Sequence, residues 1–146
     1  MVETNDRRLP VGIQSFEKIR KEGYLYVDKT DIIWQLANRN KTYHYLSRPR
    51  RFGKSVLVDT LEAYFLGKKE LFEGLKIMQL ETEWVKRPVI RLDMSRAGAE
   101  PETLRSYLDI TFDRLEEEYG ITPKPTARLA DRFNAIIVGA YEQTGQ

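Results

Sequence analysis

Gly53, Lys54 and Ser55 carry the one spacing in this 146-residue chain that points to a single chemistry, the binding of phosphate. In the pattern G-x-x-x-x-G-K-S/T, backbone N–H groups curl around phosphate oxygens, the lysine reaches the β- and γ-phosphates, and the hydroxyl ligates Mg²⁺. Within Leu46-Ser47-Arg48-Pro49-Arg50-Arg51-Phe52-Gly53-Lys54-Ser55 the second half of the pattern is matched, while the first glycine position holds Arg48. Arg48, Arg50 and Arg51 add three guanidinium groups beside Lys54, each suited to bidentate contact with phosphate oxygens. The expected nucleotide site is therefore Arg48, Arg50, Arg51, Phe52, Gly53, Lys54, Ser55 and Val56, with Ser55 as the Mg²⁺ ligand.

Such a loop needs a strand before it and a helix after it. Thr42-Tyr43-His44-Tyr45-Leu46-Ser47 is aromatic-rich and suits a strand. Val56, Leu57, Thr60, Leu61, Tyr64 and Phe65 recur at helical spacing, so a helix starting near Gly53 would turn its N-terminal N–H groups toward the anion. Pro88-Val89-Ile90-Arg91-Leu92-Asp93-Met94 reads as a second strand with its proline at the entry, completing a βαβ unit. The expected fold class is α/β, P-loop NTPase-like, with an incomplete parallel sheet and flanking helices.

Residues 1–9 read as a flexible arm. Ser15 is placed to cap a helix over Phe16–Glu22 that ends at Gly23, and Thr30 to cap one from Asp31 with Ile32, Ile33, Leu36 and Ala37 buried. Pro101 fits the first turn of a long helix that buries Leu104, Tyr107, Leu108, Thr111, Phe112, Leu115 and Tyr119 and ends at Gly120. The run Glu116-Glu117-Glu118 reads as a solvated helix end, Pro123 and Pro125 as a stiff connector, and Leu129 to Tyr141 as a last amphipathic helix closed by Gly145.

Leu9-Pro10-Val11-Gly12-Ile13-Gln14-Ser15-Phe16-Glu17-Lys18-Ile19-Arg20, Tyr24-Leu25-Tyr26-Val27-Asp28-Lys29-Thr30 and Ser47 to Ser55 together resemble the N-terminal part of the bacterial AAA-ATPase-like family. The likeness continues through Leu61 to Phe65, Leu71 to Leu75, Trp84, Pro88 to Ile90 and Asp93. In that family the loop begins Ser-Arg-Pro-Arg-Arg-Phe-Gly-Lys-Ser, which makes Arg48 a family feature. The resemblance implies ATP and Mg²⁺ as ligands and, in a longer parent, a nuclease-type domain as partner. It also implies a Walker-B strand ending in Asp-Glu soon after Ala140-Tyr141-Glu142-Gln143-Thr144-Gly145-Gln146. The chain thus reads as a fragment, unable to hydrolyse ATP by itself, that self-associates through an exposed sheet edge. By analogy with related ATPases, Tyr26 to Lys29 line the base pocket; the competing reading is a packed strand and a helix entry.

Composition sets the remaining limits. There is no cysteine and one histidine, His44, which excludes disulfides and thiolate or histidine-rich metal sites. No apolar run approaches the roughly 20 residues that cross a bilayer and the N-terminus is polar, so the expected location is cytoplasmic, with no membrane partner. Net charge is +2 from 24 basic and 22 acidic side chains, so any strong basic effect is local to the loop. Two other classes of function stay open: a non-catalytic interaction or nucleic-acid-binding module using the arginine loop, and a small P-loop kinase with Asp93 as base.

Overall fold

A computed structural model describes residues 8–39, 43–98, 100–122 and 127–145. Residues 1–7 of the expected arm, Thr42, the Pro123 and Pro125 connector and Gln146 lie outside them. Among the described residues five α-helices form: α1 (Phe16–Lys21), α2 (Thr30–Asn38), α3 (Lys54–Phe65), α4 (Pro101–Glu118) and α5 (Leu129–Thr144). Short 3₁₀ turns occupy Lys69–Phe72, Lys76–Gln79 and Met94–Arg96. The chain divides into two compact units, Met1–Lys86 and Arg87–Gln146.

No strand forms among the described residues, which overturns the expected α/β fold with its parallel sheet. The reason lies in where the backbone groups of the two would-be strands go. Strand propensity becomes a strand only when a neighbour supplies the ladder and a face is buried. Tyr43 and Tyr45 are 90% and 92% exposed, so the first segment buries neither ring. In the second, Pro88 has no N–H to give, a Val89 backbone hydrogen bond goes to the Tyr119 side chain, and the Asp93 N–H donates to the Tyr107 hydroxyl at 2.7 Å. Helix α4 thus takes the bonds that a neighbouring strand was expected to take. Without a sheet there is no sheet edge among the described residues.

The first unit is built from local signals that the sequence carries. Ser15 caps α1, its Oγ accepting the Lys18 N–H at 3.3 Å, and Gly23 at φ 70° takes the left-handed turn that ends it. Phe16 and Phe72 are fully buried with ring centroids 5.0 Å apart, each burial stabilising by roughly 1.5–3 kcal/mol. Ile33, Ala63, Tyr64, Leu71, Leu75 and Ile77 complete this core. On α2 the buried residues are Thr30 and Ile33, whereas Ile32 is 46% exposed, so the expected buried side is narrower than its apolar residues suggest.

The segment after the second 3₁₀ turn is held by one carboxylate. Glu81 accepts the Thr82 and Glu83 N–H groups at 3.0 and 3.1 Å, and it also accepts from the Tyr64 hydroxyl. Burial raises the Glu81 carboxyl, but the Tyr64 and backbone hydrogen bonds outweigh it and hold it below the usual carboxylate range. That wrapping leaves Trp84 at φ 47°, costly for a bulky residue, and its ring packs against Phe72 at 5.1 Å.

In the second unit Pro101 opens α4 as expected, and Phe112, Leu115 and Tyr119 pack with Ile136 and Ala140 of α5. Glu116 departs from the expected solvated helix end: it is 3% exposed and paired with Arg132, while Glu117 and Glu118 face solvent. Ile137 and Tyr141 of α5 remain 45% and 62% exposed. Among the described residues no helix is long and apolar enough to cross a membrane.

Candidate functional site

The expected site is a loop that ends as the N-terminus of α3. Gly53 is the residue before the helix at φ 74°, a left-handed conformation that glycine adopts without strain, and its carbonyl accepts the Leu57 N–H at 3.0 Å to close the first turn. Arg51 takes the same region at φ 67°, at a cost on the order of 1–2 kcal/mol for a residue with a Cβ. Arg48 does not: its φ is not positive, so nothing in the backbone there demands glycine.

Lys54 supplies the closure. Its Nζ reaches back over the loop and donates to the Arg48 carbonyl at 2.7 Å, tying the loop's first residue to its last. The ammonium is thereby held against the start of the loop that carries the phosphate-binding pattern. No side chain caps α3, and α3 has no acid in its first turn, whereas each of the other four α-helices does. Among the described residues, neither a cap side chain nor a first-turn acid meets the N-terminal N–H groups of α3 and the positive end of its dipole.

The other expected residues fall around this closure. Arg48, Arg50, Arg51, Lys54 and Ser55 are exposed, Phe52 is 62% exposed, and Val56 is half-buried. No carboxylate among the described residues holds any of the three guanidinium groups. His44 is exposed. The donor set suits a magnesium nucleotide better than a bare ion, because Mg²⁺ usually keeps several waters and takes phosphate oxygens beside one or two protein ligands. Ser55 offers one such ligand, and among the described residues no group of three or more acidic, histidine or cysteine side chains is placed to hold a metal by itself.

Tyr26 to Lys29 follow the packed, helix-entry reading. The Tyr26 ring meets Phe16 edge-on at 5.1 Å, and burial pushes its hydroxyl above the usual range. Asp28 is fully engaged: Oδ1 accepts from the Thr30 N–H at 2.9 Å and the Thr30 hydroxyl at 2.7 Å, and Oδ2 accepts from the Lys76 N–H at 2.7 Å. Thr30, expected to be the cap, is instead the first residue of α2, and its Oγ1 accepts from the buried Ile77 N–H at 3.1 Å. The Asp-x-Thr spacing was the signal for this clamp, since a short acid two residues ahead of a helix start commonly bonds that N–H.

A stability prediction follows for Asp28. Burial raises its carboxyl, yet the hydrogen bonds from Thr30 and Lys76 outweigh burial, and the net value lies below the ordinary one. A carboxyl depressed by folding stabilises fully above its unfolded value of about 3.9 and loses that contribution as pH falls through the folded value. Asp28→Ala should therefore cost about 1–3 kcal/mol at pH 7, with a much smaller difference near pH 2. Urea melts of both proteins at the two pH values check this; equal midpoints at pH 7 would contradict it.

Asp93, the base of the kinase alternative, caps the Met94–Arg96 turn. Its Oδ1 accepts from the Ser95 N–H at 3.1 Å and the Ser95 hydroxyl at 2.5 Å, and the Ser95 hydrogen bond holds its carboxyl below the usual range. It belongs to the second unit, whereas Lys54 and Ser55 belong to the first. Sequence reasoning also missed the Arg132 cluster between α4 and α5, which no local spacing announces.

Comparison with known proteins adds a family. A family model described as AAA-ATPase-like, predicted AAA-ATPase, matches residues 10–146. An uncharacterized protein in the vnfD 5′ region of Azotobacter chroococcum mcd 1 is 48% identical over 88 residues, 59% of this chain and 17% of that protein. The match thus spans about a sixth of that relative's length. No solved structure matches the chain.

Proposed function

Because the chain belongs to the AAA-ATPase-like family, we propose that it binds ATP with Mg²⁺ through residues 48–56, as the nucleotide-binding portion of an ATPase-like protein, without hydrolysing it. The observation that carries this reading is the Lys54 ammonium drawn onto the Arg48 carbonyl at the uncapped start of α3. A bound triphosphate would take that ammonium in exchange for the carbonyl, and the first N–H groups of α3 would meet its oxygens. Arg50 and Arg51 would add charge-assisted contacts. The Ser55 hydroxyl would hold the Mg²⁺, which when bound neutralises phosphate charge. In a longer protein the family resemblance suggests a nuclease-type domain as partner.

Binding without turnover is favoured by the fate of the carboxylate that sequence reading offered as a base. Phosphoryl transfer to water needs an oriented nucleophile. Asp93 is committed to Ser95, and no acid lies between Tyr43 and Val58. The kinase alternative would have in Asp93 a weakened base, because the Ser95 hydrogen bond holds its carboxyl below the usual range. Titrating the chain with ATP and Mg²⁺ while following phosphate release tests both halves. Saturable binding with background release is expected. Absence of binding would overturn the site, and robust release abolished by Lys54→Ala would overturn the inactive half.

A further inference from the structure

We propose that the stretch from Tyr43 to Lys54 binds single-stranded nucleic acid, through stacking on Tyr43 and Tyr45, which the nucleotide reading does not use, and through arginine contacts that the two readings share. All twelve residues are exposed, and none is acidic. Three arginines and one lysine fall here, in a chain whose net charge is only +2, so the stretch holds a concentrated positive charge. Tyr43 and Tyr45 leave 90% and 92% of their surface in water and Phe52 62%, in a chain that has fully buried Phe16 and Phe72. Aromatic rings carry a large apolar area that is ordinarily covered, so three bare rings set among cations mark a surface waiting for a flat, apolar and anionic partner.

A polynucleotide strand has that chemistry. Its bases offer π-faces for Tyr43, Tyr45 and Phe52, and its phosphates offer bidentate acceptors for Arg48, Arg50 and Arg51. Single strands fit better than duplexes. The stretch has no regular secondary structure to lay in a groove, and rings can stack only on bases that are already unpaired. An anionic lipid surface is the weaker match, because two of the three bare rings are tyrosines and the aliphatic residue here, Leu46, is 43% exposed.

The test is fluorescence anisotropy of labelled 12-residue oligothymidylate and oligouridylate with the intact chain, Tyr43→Ala/Tyr45→Ala and Lys54→Ala. Stacking losses are on the order of five-fold or more per ring, so the double variant should bind roughly 25-fold or more weakly while melting like the parent. Arg50→Ala should reduce the log–log salt slope by about 0.7. Lys54→Ala should keep the tyrosine dependence, which separates this surface from the nucleotide site: failure of one leaves the other standing. Unchanged binding by the tyrosine variant, tighter binding to a duplex of the same length, or binding to phosphatidylserine vesicles with none to either oligonucleotide would overturn the proposal.

Discussion

Arg132→Met is expected to cost roughly 3–5 kcal/mol of stability, the largest effect of any single substitution considered. Asp109, Asp113 and Glu116 fall on one side of α4, four and three residues apart, and all three converge on one guanidinium from α5. Arg132 forks onto Glu116, with Nε at 2.8 Å from one oxygen and Nη2 at 2.7 Å from the other. Its remaining bonds go to Asp109 at 2.9 Å and Asp113 at 2.6 Å, and it lies 5.7 Å from the Phe112 ring centre. The Glu116 side chain is 4% exposed and that of Arg132 11%, so solvent screens little of this pairing. Glu116 above all holds the guanidinium in its charged form. Removing the cation leaves a buried carboxylate with two more beside it and no countercharge.

The same logic gives the control. Arg132→Met/Glu116→Met removes both buried charges, and such pairs replaced by apolar residues of similar size are often neutral to stability. Urea midpoints should fall steeply for the single variant and return most of the way for the double. A single variant within about 1 kcal/mol of the parent would mean that the cluster is a surface ornament rather than the join between the two helices.

Local chemistry was readable in this sequence and long-range partnership was not. Ser15 before Phe16, Gly53 before Lys54, Pro101 at the head of α4 and Gly145 after α5 each act within one helical turn, so residue type and position suffice. Tyr43 to Ser47 and Val89 to Asp93 have strand-like composition, but a strand is defined by its neighbour, and here Tyr107 of α4 and Tyr119 just after it take backbone groups of the second segment. Glu116 and Arg132 are sixteen residues apart, and no periodicity in either helix flags that one will neutralise the other. At the candidate site, Gly53 and Lys54 were recognisable by type. Arg48 contributes its carbonyl, which every residue has, and so its part in the closure could not be read from its side chain.

Lys54→Ala is expected to weaken ATP binding by about ten- to a hundredfold, the range that loss of a charge-assisted hydrogen bond to phosphate implies. The fold should survive, because Lys54 is exposed and the hydrogen bond that its side chain makes among the described residues, to the Arg48 carbonyl, holds only the loop. Gly53 and the helix start remain in place in the variant, so a loss of affinity can be assigned to the ammonium itself. Isothermal titration of ATP with Mg²⁺ into the parent chain and Lys54→Ala, with matched thermal melts, is the most direct test. Saturable binding to the parent, a dissociation constant raised at least tenfold in the variant and superimposable melts are expected; equal affinity in two equally folded proteins would contradict nucleotide binding through Lys54.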